Sequence, residues 1–345
     1  MKKKKYLLFF LPIILIILFC YKLTSINSVS NDNIVSPYLH INLFDSASSM
    51  NTFYEYDQRV QKDKILLKKD IKDYTSFTYS QKKRTLYYVD KAKDDTTQLF
   101  STKLHSKEAK QLTKEISSVD FIQISKGQKK IFMRVLLKGE FQRNFHMATY
   151  NIDNKKLKIW DKSNEDKSIL NFHYDNNTDK LLVGSFSESE SNEKLEYSNE
   201  KQTPMIPPKY SLDIYDPNGK KKAHVTTVEK FINGLSLDYN HNSLLFSYDN
   251  DLNSSASSII QVDITSGKKQ TLLTSSKTHL KIRSVLFDEY GKGFYFLSSP
   301  REEGNGSLDN FKQNVISYYN LKNKQTKDIW KSNKGVIVNY SLNVY

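Results

Sequence analysis

Cysteine is nearly absent from this chain. Cys20 is the only one in 345 residues, so no intramolecular disulfide can form and no thiolate metal site can be built. Glycine (11) and proline (7) are few, and 38% hydrophobic with 26% charged residues describes a globular chain, not a disordered one. No Gly-x-Ser-x-Gly elbow occurs. Gly184-Ser-Phe-Ser-Glu188 lacks the closing glycine, which leaves a serine nucleophile without its motif. Neither a P-loop nor a dinucleotide fingerprint is present. The histidines His40, His105, His146, His173, His224, His241 and His279 are scattered, and no pair has the His-x-x-x-His spacing of a metal-binding helix. Asp249-Asn-Asp-Leu-Asn253 opens like a calcium loop, but Ser254 stands where glycine is needed and Ile260 where the bidentate glutamate belongs. The expectation is a protein without cofactor or metal and without catalysis of its own.

Aromatic residues are abundant, with 22 Tyr and 19 Phe. Such side chains suit a pleated, half-buried surface, so the composition leans towards strand. They fall into a pattern that returns five times: an apolar stretch, a short polar turn and a second apolar stretch. The copies span 77–89, 121–133, 172–183, 235–246 and 285–297 and start roughly 45 to 65 residues apart, the spacing of propeller blades. Each is followed by a second pair of apolar stretches around a turn rich in Asp, Asn, Ser, Gly and Lys, at 98–113, 147–160, 212–226, 259–273 and 316–330. Two of these match closely. Tyr150-Asn-Ile-Asp-Asn-Lys-Lys-Leu-Lys-Ile-Trp160 and Tyr319-Asn-Leu-Lys-Asn-Lys-Gln-Thr-Lys-Asp-Ile-Trp330 both continue into Lys-Ser-Asn, which predicts equivalent places at the outer edges of two blades.

Four strands per repeat is one blade. Five repeats run from about residue 74 to 332, and the chain ends supply a sixth. Residues 335–345 read as its first strand, with 41–44, 52–57 and 65–68 as the others. Pairing the two ends closes the ring and removes exposed strand edges. The expected fold is all-β, a six-bladed β-propeller over residues 37–345 whose sixth blade is closed by both termini.

The N-terminus sets the compartment. Residues 1–5 carry Lys2 to Lys5, and Tyr6 to Tyr21 contain no charge. Residues 6–23 read as one transmembrane helix, slightly short of the ~30 Å hydrocarbon core. The basic end stays in the cytoplasm, which places the rest outside. A cleaved signal is the alternative, with Ser28-Val-Ser30 as its candidate site. A lipoprotein is a further one, disfavoured because Phe19 precedes Cys20. Residues 24–36, rich in Ser and Asn, form a tether. Setting Lys2 to Lys5 aside, 48 basic residues face 38 acidic ones. That excess suits anionic polymers of the wall or membrane, or simply a lysine-rich surface. Basic turns beside aromatics, as in Lys82-Lys-Arg-Thr-Leu-Tyr-Tyr88, arise equally from a turn entering a strand, and export makes nucleic acid a poor partner.

These repeats behind a membrane signal resemble the six-bladed propellers of the TolB-like and dipeptidyl-peptidase-propeller-like superfamily, over roughly residues 40–345. That superfamily's first turn carries Ser-Pro-Asp-Gly-Lys. The nearest here are Tyr79-Ser-Gln-Lys-Lys83, Ile124-Ser-Lys-Gly-Gln-Lys129 and Phe287-Asp-Glu-Tyr-Gly-Lys292. The resemblance implies an extracytoplasmic platform that binds protein.

In a blade the first and third turns lie on one face, and the second turn and the blade-to-blade link on the other. The second turns include two long ones, Ser185 to Tyr210 and Ser298 to Val315, which makes theirs the expected binding face. The first reads as an irregular acidic loop with a stiff apolar tip, Pro204-Met-Ile-Pro-Pro208. The candidate contacts are Glu188, Glu190, Glu193, Met205 and Ile206 in the Ser185 to Tyr210 stretch, and Arg301, Glu302 and Glu303 in the Ser298 to Val315 stretch. The expected role is that of a monomer binding a protein of the cell envelope. Binding of anionic wall or membrane polymers is the alternative, and a metal-dependent hydrolase or lactonase a more distant one.

Overall fold

Tyr, Phe, Ile, Leu and Val dominate the strands because each blade is covered on both sides by its neighbours. A computed structural model describes residues 38–71, 75–106, 108–139, 144–252, 254–299 and 314–342. The expected membrane segment 6–23, the expected basic tail and tether, and the candidate contacts Arg301, Glu302 and Glu303 lie outside the described residues.

The strands group into six antiparallel four-stranded sheets. In chain order the first three are β1 (Tyr38–Asp45), β2 (Met50–Asp57) and β3 (Lys62–Asp70). Blade 2 holds β4 (Phe77–Ser80), β5 (Thr85–Lys91), β6 (Thr97–Lys103) and β7 (Ala109–Gln111). Blade 3 holds β8 (Ile116–Ile124), β9 (Lys130–Leu137), β10 (His146–Asn151) and β11 (Lys156–Ile159). Blade 4 holds β12 (Lys167–Asp175), β13 (Lys180–Ser187), β14 (Tyr210–Tyr215) and β15 (Lys221–Val228). Blade 5 holds β16 (Phe231–Asp238), β17 (Ser243–Asp249), β18 (Ser257–Asp263) and β19 (Lys269–Thr274). Blade 6 holds β20 (Leu280–Phe287), β21 (Gly293–Ser299), β22 (Val315–Asn320) and β23 (Thr326–Lys331). The last strand, β24 (Val336–Leu342), returns to the start and becomes the innermost strand of blade 1, in the order β24-β1-β2-β3. Leu39 faces Leu342 and Phe44 faces Val336 across that joint. The expected closure of the ring by both chain ends is therefore present.

Closure is also visible in the packing. The core divides into six apolar clusters, one at each seam between neighbouring blades. Phe53, Phe77 and Tyr88 fill the seam of blades 1 and 2, and Leu297, Ile316 and Ile337 that of blades 6 and 1. The matched Ile-Trp segments sit as expected. Trp160 follows β11 and bonds back to Met147, while Trp330 lies in β23 opposite Ile316. The second copy is one residue longer, and a register shift between Ile316 and Ser317 absorbs the difference.

Charge is sorted radially. The six outermost strands carry twelve Lys and three Asp, whereas the six innermost carry three basic and three acidic residues. Lysine on an outer strand discourages edge-to-edge pairing with another sheet. Much of the positive excess thus has a structural use.

One expectation needs correction. The insertion between β13 and β14 is not an irregular loop: Glu188–Lys201 form an α-helix, α1. Its side chains explain why. Ser187 is the N-cap and accepts from the Glu190 N–H, Glu188 and Glu190 lie at the positive end of the helix dipole, and Lys201 lies in the last turn. Gln202 closes the helix in the left-handed conformation, with Pro204 just beyond.

Candidate functional site

The inner strand of each blade runs from the insertion face to the opposite face, where the first turn follows it. Lys167 pairs with Ser187 at one end of blade 4 and Asp175 with Lys180 at the other. Helix α1 therefore stands on the face away from the Asp175 turn.

On the insertion face α1 is held from three sides. Asp166 accepts from the Ser189 N–H and from the Ser187 hydroxyl. Lys194 pairs with Glu190 at 2.9 Å and with Glu229, and donates to the Pro207 carbonyl. That last bond ties the helix to the extended segment behind it. Ser198 is the one buried residue of the helix. Glu193, Glu196 and Glu200 are exposed, and Tyr197 is 51% exposed. Among the expected contacts, Glu193 is exposed, whereas Glu188, Glu190, Met205 and Ile206 are half-buried. Glu190 is committed to Lys194. Glu193, Glu196, Tyr197 and Glu200 are spaced to share one face of the helix, a grouping that the loop reading did not contain. The capping pattern Ser187-x-x-Glu190 was the available signal.

The opposite face carries a second site that the repeats foreshadow but that no local motif reveals. A cavity of about 120 Å³ opens at the end of the central channel, lined from all six blades. The residue that ends each inner strand or follows it is Ser80, Ser125, Asp175, Asp238 and Asp288 in blades 2 to 6. Each caps its own first turn. Ser80 accepts from the Lys83 N–H and Ser125 from the Lys130 N–H. Asp175 accepts from Asn177, Asp238 from His241, and Asp288 from Tyr290 and Lys292. These are the positions where the superfamily turn begins with Ser. The last three carry charge instead, and all three line the cavity.

Two residues before each cap lies the inner-edge position. An inner strand has unpaired backbone groups facing the channel, and these need partners. Gln123 accepts from the Tyr174 N–H at 2.7 Å, His173 Nδ1 from the Leu237 N–H at 2.9 Å, and Ser236 from the Phe287 N–H at 2.8 Å. Three different residues do one job at three successive seams. Because His173 Nδ1 accepts, the neutral ring carries its proton on Nε2. Burial holds His173 below its ordinary pKa of 6.5, against the pull of Asp175. Burial likewise raises Asp288 above the usual carboxylate range, opposed by the Tyr318 hydroxyl and backbone N–H bonds.

Several other ionisable groups have structural partners. Asp249, in the segment that opens like a calcium loop, pairs with Arg283 at 2.6 Å. His224 meets Asp213 and His279 meets Asp328. Among the described residues no three His, Cys, Asp or Glu side chains converge as metal ligands, and no helix is long and apolar enough to cross a membrane.

Comparisons with known proteins agree with the fold. No family model matches the chain. It is similar to the uncharacterised protein YdjN of Bacillus subtilis (strain 168), 23% identical over 323 residues, covering 91% of this chain and 88% of YdjN. Among solved structures, TolB from Acinetobacter baumannii matches with a TM-score of 0.57 at 15% identity, covering 88% of this chain. The chain spans 66% of TolB, just under two thirds of its length. A chain of the nidogen/laminin complex matches at 0.57 and 12% identity, covering 88% of this chain and 97% of that one. An oligogalacturonate lyase in complex with manganese matches at 0.52 and 10% identity, covering 85% and 72%. At these identities the likeness shows the fold, a TolB-like six-bladed propeller.

Proposed function

We propose that this protein is a non-catalytic, membrane-anchored propeller that binds a protein partner of the cell envelope through the face bearing α1. The observation that carries this reading is the helix itself. A 14-residue helix is marginal in water on its own, and this one buries only Ser198. It adds almost nothing to the core, yet Asp166, Glu229 and the Pro207 carbonyl fix it in place. A rigid element that projects an exposed tyrosine among glutamates is suited to recognition, because its side chains are ordered before a partner arrives. Its acidity on a basic protein selects a basic partner surface. The uncharged stretch behind Lys2 to Lys5 supports the anchor and the extracytoplasmic side.

The test is a photo-crosslinking residue at Tyr197 in the native membrane, with Lys156 on the outer edge of blade 3 as the control. A discrete adduct from position 197 that is absent from 156, and that disappears when Glu193, Glu196 and Glu200 are changed to Lys, is the expected result. Identical adduct patterns at the two positions would remove the helix from the reading. The lysine-rich perimeter favours a second reading, adhesion to anionic polymers of wall or membrane. That binding should weaken steeply between low and high salt, whereas the helix contact weakens less.

A further inference from the structure

The channel mouth, on the face away from α1, holds charge that the fold does not neutralise. The chain has 52 basic residues, yet Asp175 and Asp288 make no ion pair with Lys or Arg among the described residues. Asp238 meets the His241 ring at 2.7 Å. Among the described residues, Lys126 is the only Lys or Arg that lines the cavity. Capping leaves these carboxylates acceptor capacity, since a carboxylate offers about four lone-pair sites. Asp175 uses three, for the Asn177 and Tyr239 N–H groups and the Thr178 hydroxyl. Asp288 also uses three, and Asp238 two. Such a ring in a concave, partly apolar site concentrates negative potential.

A second feature points inward. His173 is 9% exposed and lines the cavity. Its Nδ1 is spent on Leu237, and its Nε2–H has no hydrogen-bond partner among the described residues. Asn176, also at the lining, has a buried Oδ1 in the same condition. An occupant must therefore bring a positive charge for the aspartates and an acceptor for His173. Size is consistent with a small occupant. An engineered cavity of about 150 Å³ holds benzene, so about 120 Å³ accommodates one small amino-acid unit. A ring of acids that forms no convergent metal set among the described residues suits an ammonium, which accepts loose hydrogen-bond geometry.

We propose that the channel mouth binds an α-aminoacyl group, with its primary ammonium among Asp175, Asp238 and Asp288 and its adjacent carbonyl oxygen accepting from His173 Nε2. Leu237, Leu286 and Leu342 supply apolar wall for a small side chain. The site is independent of the helix face.

Calorimetric titration of the full-length chain in detergent with L-alanyl-L-alaninamide tests it. Saturable binding is expected, and N-acetylation of the probe should weaken it tenfold or more, the effect of losing one charged hydrogen bond of roughly 1.5–3 kcal/mol. Nα-acetyl-lysinamide, whose ammonium has no neighbouring carbonyl, should be similarly weak. His173→Ser copies the choice made by Ser236 in blade 5, so it keeps the seam bond and removes the Nε2–H. It and Asp238→Asn should each cost about tenfold in affinity. Melting curves confirm that both variants fold, and either one alone suffices as the readout. Equal binding of the acetylated probe, equal binding of the lysine derivative, displacement by calcium ions, or no saturable binding at all would each overturn the proposal.

Discussion

The two faces of the wheel are made by the same strands and follow opposite rules. On the mouth face every first turn in blades 2 to 6 is four or five residues long. Each is capped by the side chain that ends the inner strand or follows it, Ser80, Ser125, Asp175, Asp238 or Asp288. On the other face the second connections run from four residues in blade 1 to twenty-two in blade 4. The seams differ as well. Neutral side chains of Gln123, His173 and Ser236 bridge blades near the mouth. Guanidinium groups do so towards the insertion face, where Arg134 joins Asp120 to the carbonyls of Ile169 and Leu170, and Arg283 joins Asp249. Mouth turns converge on the channel axis, where extra residues would collide. Connections on the other face can grow outward at little entropic cost. Variation in connection length is therefore confined to one face, while the capped turns of the other place carboxylates at the channel mouth.

The largest effect that should break this comparison comes from the joint both faces share. Gly335 precedes β24 at φ +91°, and a Cβ there would meet the Phe44 carbonyl oxygen at 2.2 Å. Gly335→Val should cost about 3–5 kcal/mol, lowering the melting midpoint by roughly 10 °C. A midpoint unchanged within error would mean that the closing strand contributes little.

Next in size is the clamp on the insertion face. Arg283→Ala leaves Asp249 with a buried, uncompensated charge and should cost about 3 kcal/mol in urea unfolding. Pairing it with Asp249→Asn should recover most of that loss. Failure to recover would show that the guanidinium acts through packing.

The mouth seam should answer to pH instead. His173 is neutral and buried, with its folded pKa pushed below 6.5, so the unfolded chain binds the extra proton. Stability is fully present above about pH 6.5 and falls as pH drops from there towards the lower, folded value. Changing His173 to Ser should flatten that part of the profile, and a slope of unaltered steepness would point to another group. Smallest is the helix cap. Ser187→Ala removes the acceptor for Glu190 N–H and should cost about 1 kcal/mol locally, read as faster amide exchange in α1. Exchange at the wild-type rate would show that Asp166 alone holds the helix start.

How much was legible beforehand follows from the range of the forces involved. Strand pairs such as 172–183 and 235–246 announce themselves because alternation and turn residues are local. The sixth blade was readable from an excess of strands at the two ends. The helix was missed because Glu188, Glu190, Glu193, Glu196 and Glu200 suggest a solvated loop. The Ser187-x-x-Glu190 cap and the Glu190–Lys194 pair in the same stretch are the local features that favour a helix. The mouth was missed for a different reason. Asp175, Asp238 and Asp288 are separated by dozens of residues, and only ring closure brings them together. Their shared place at the start of the first turn was the one available sign. Likewise the positive excess, read as a candidate surface for polyanions, is concentrated on outer strands where lysine protects an edge.

Both faces exist only if the ring is closed, and one disulfide can report that directly. Phe44 and Val336 are register partners across the joint, and Cys20 is the chain's single cysteine. In a Cys20→Ser background, Phe44→Cys with Val336→Cys should give a folded protein with no free thiol and a melting midpoint that drops on reduction. A folded protein that retains two reactive thiols under oxidising conditions would contradict the closed wheel and both sites built on it.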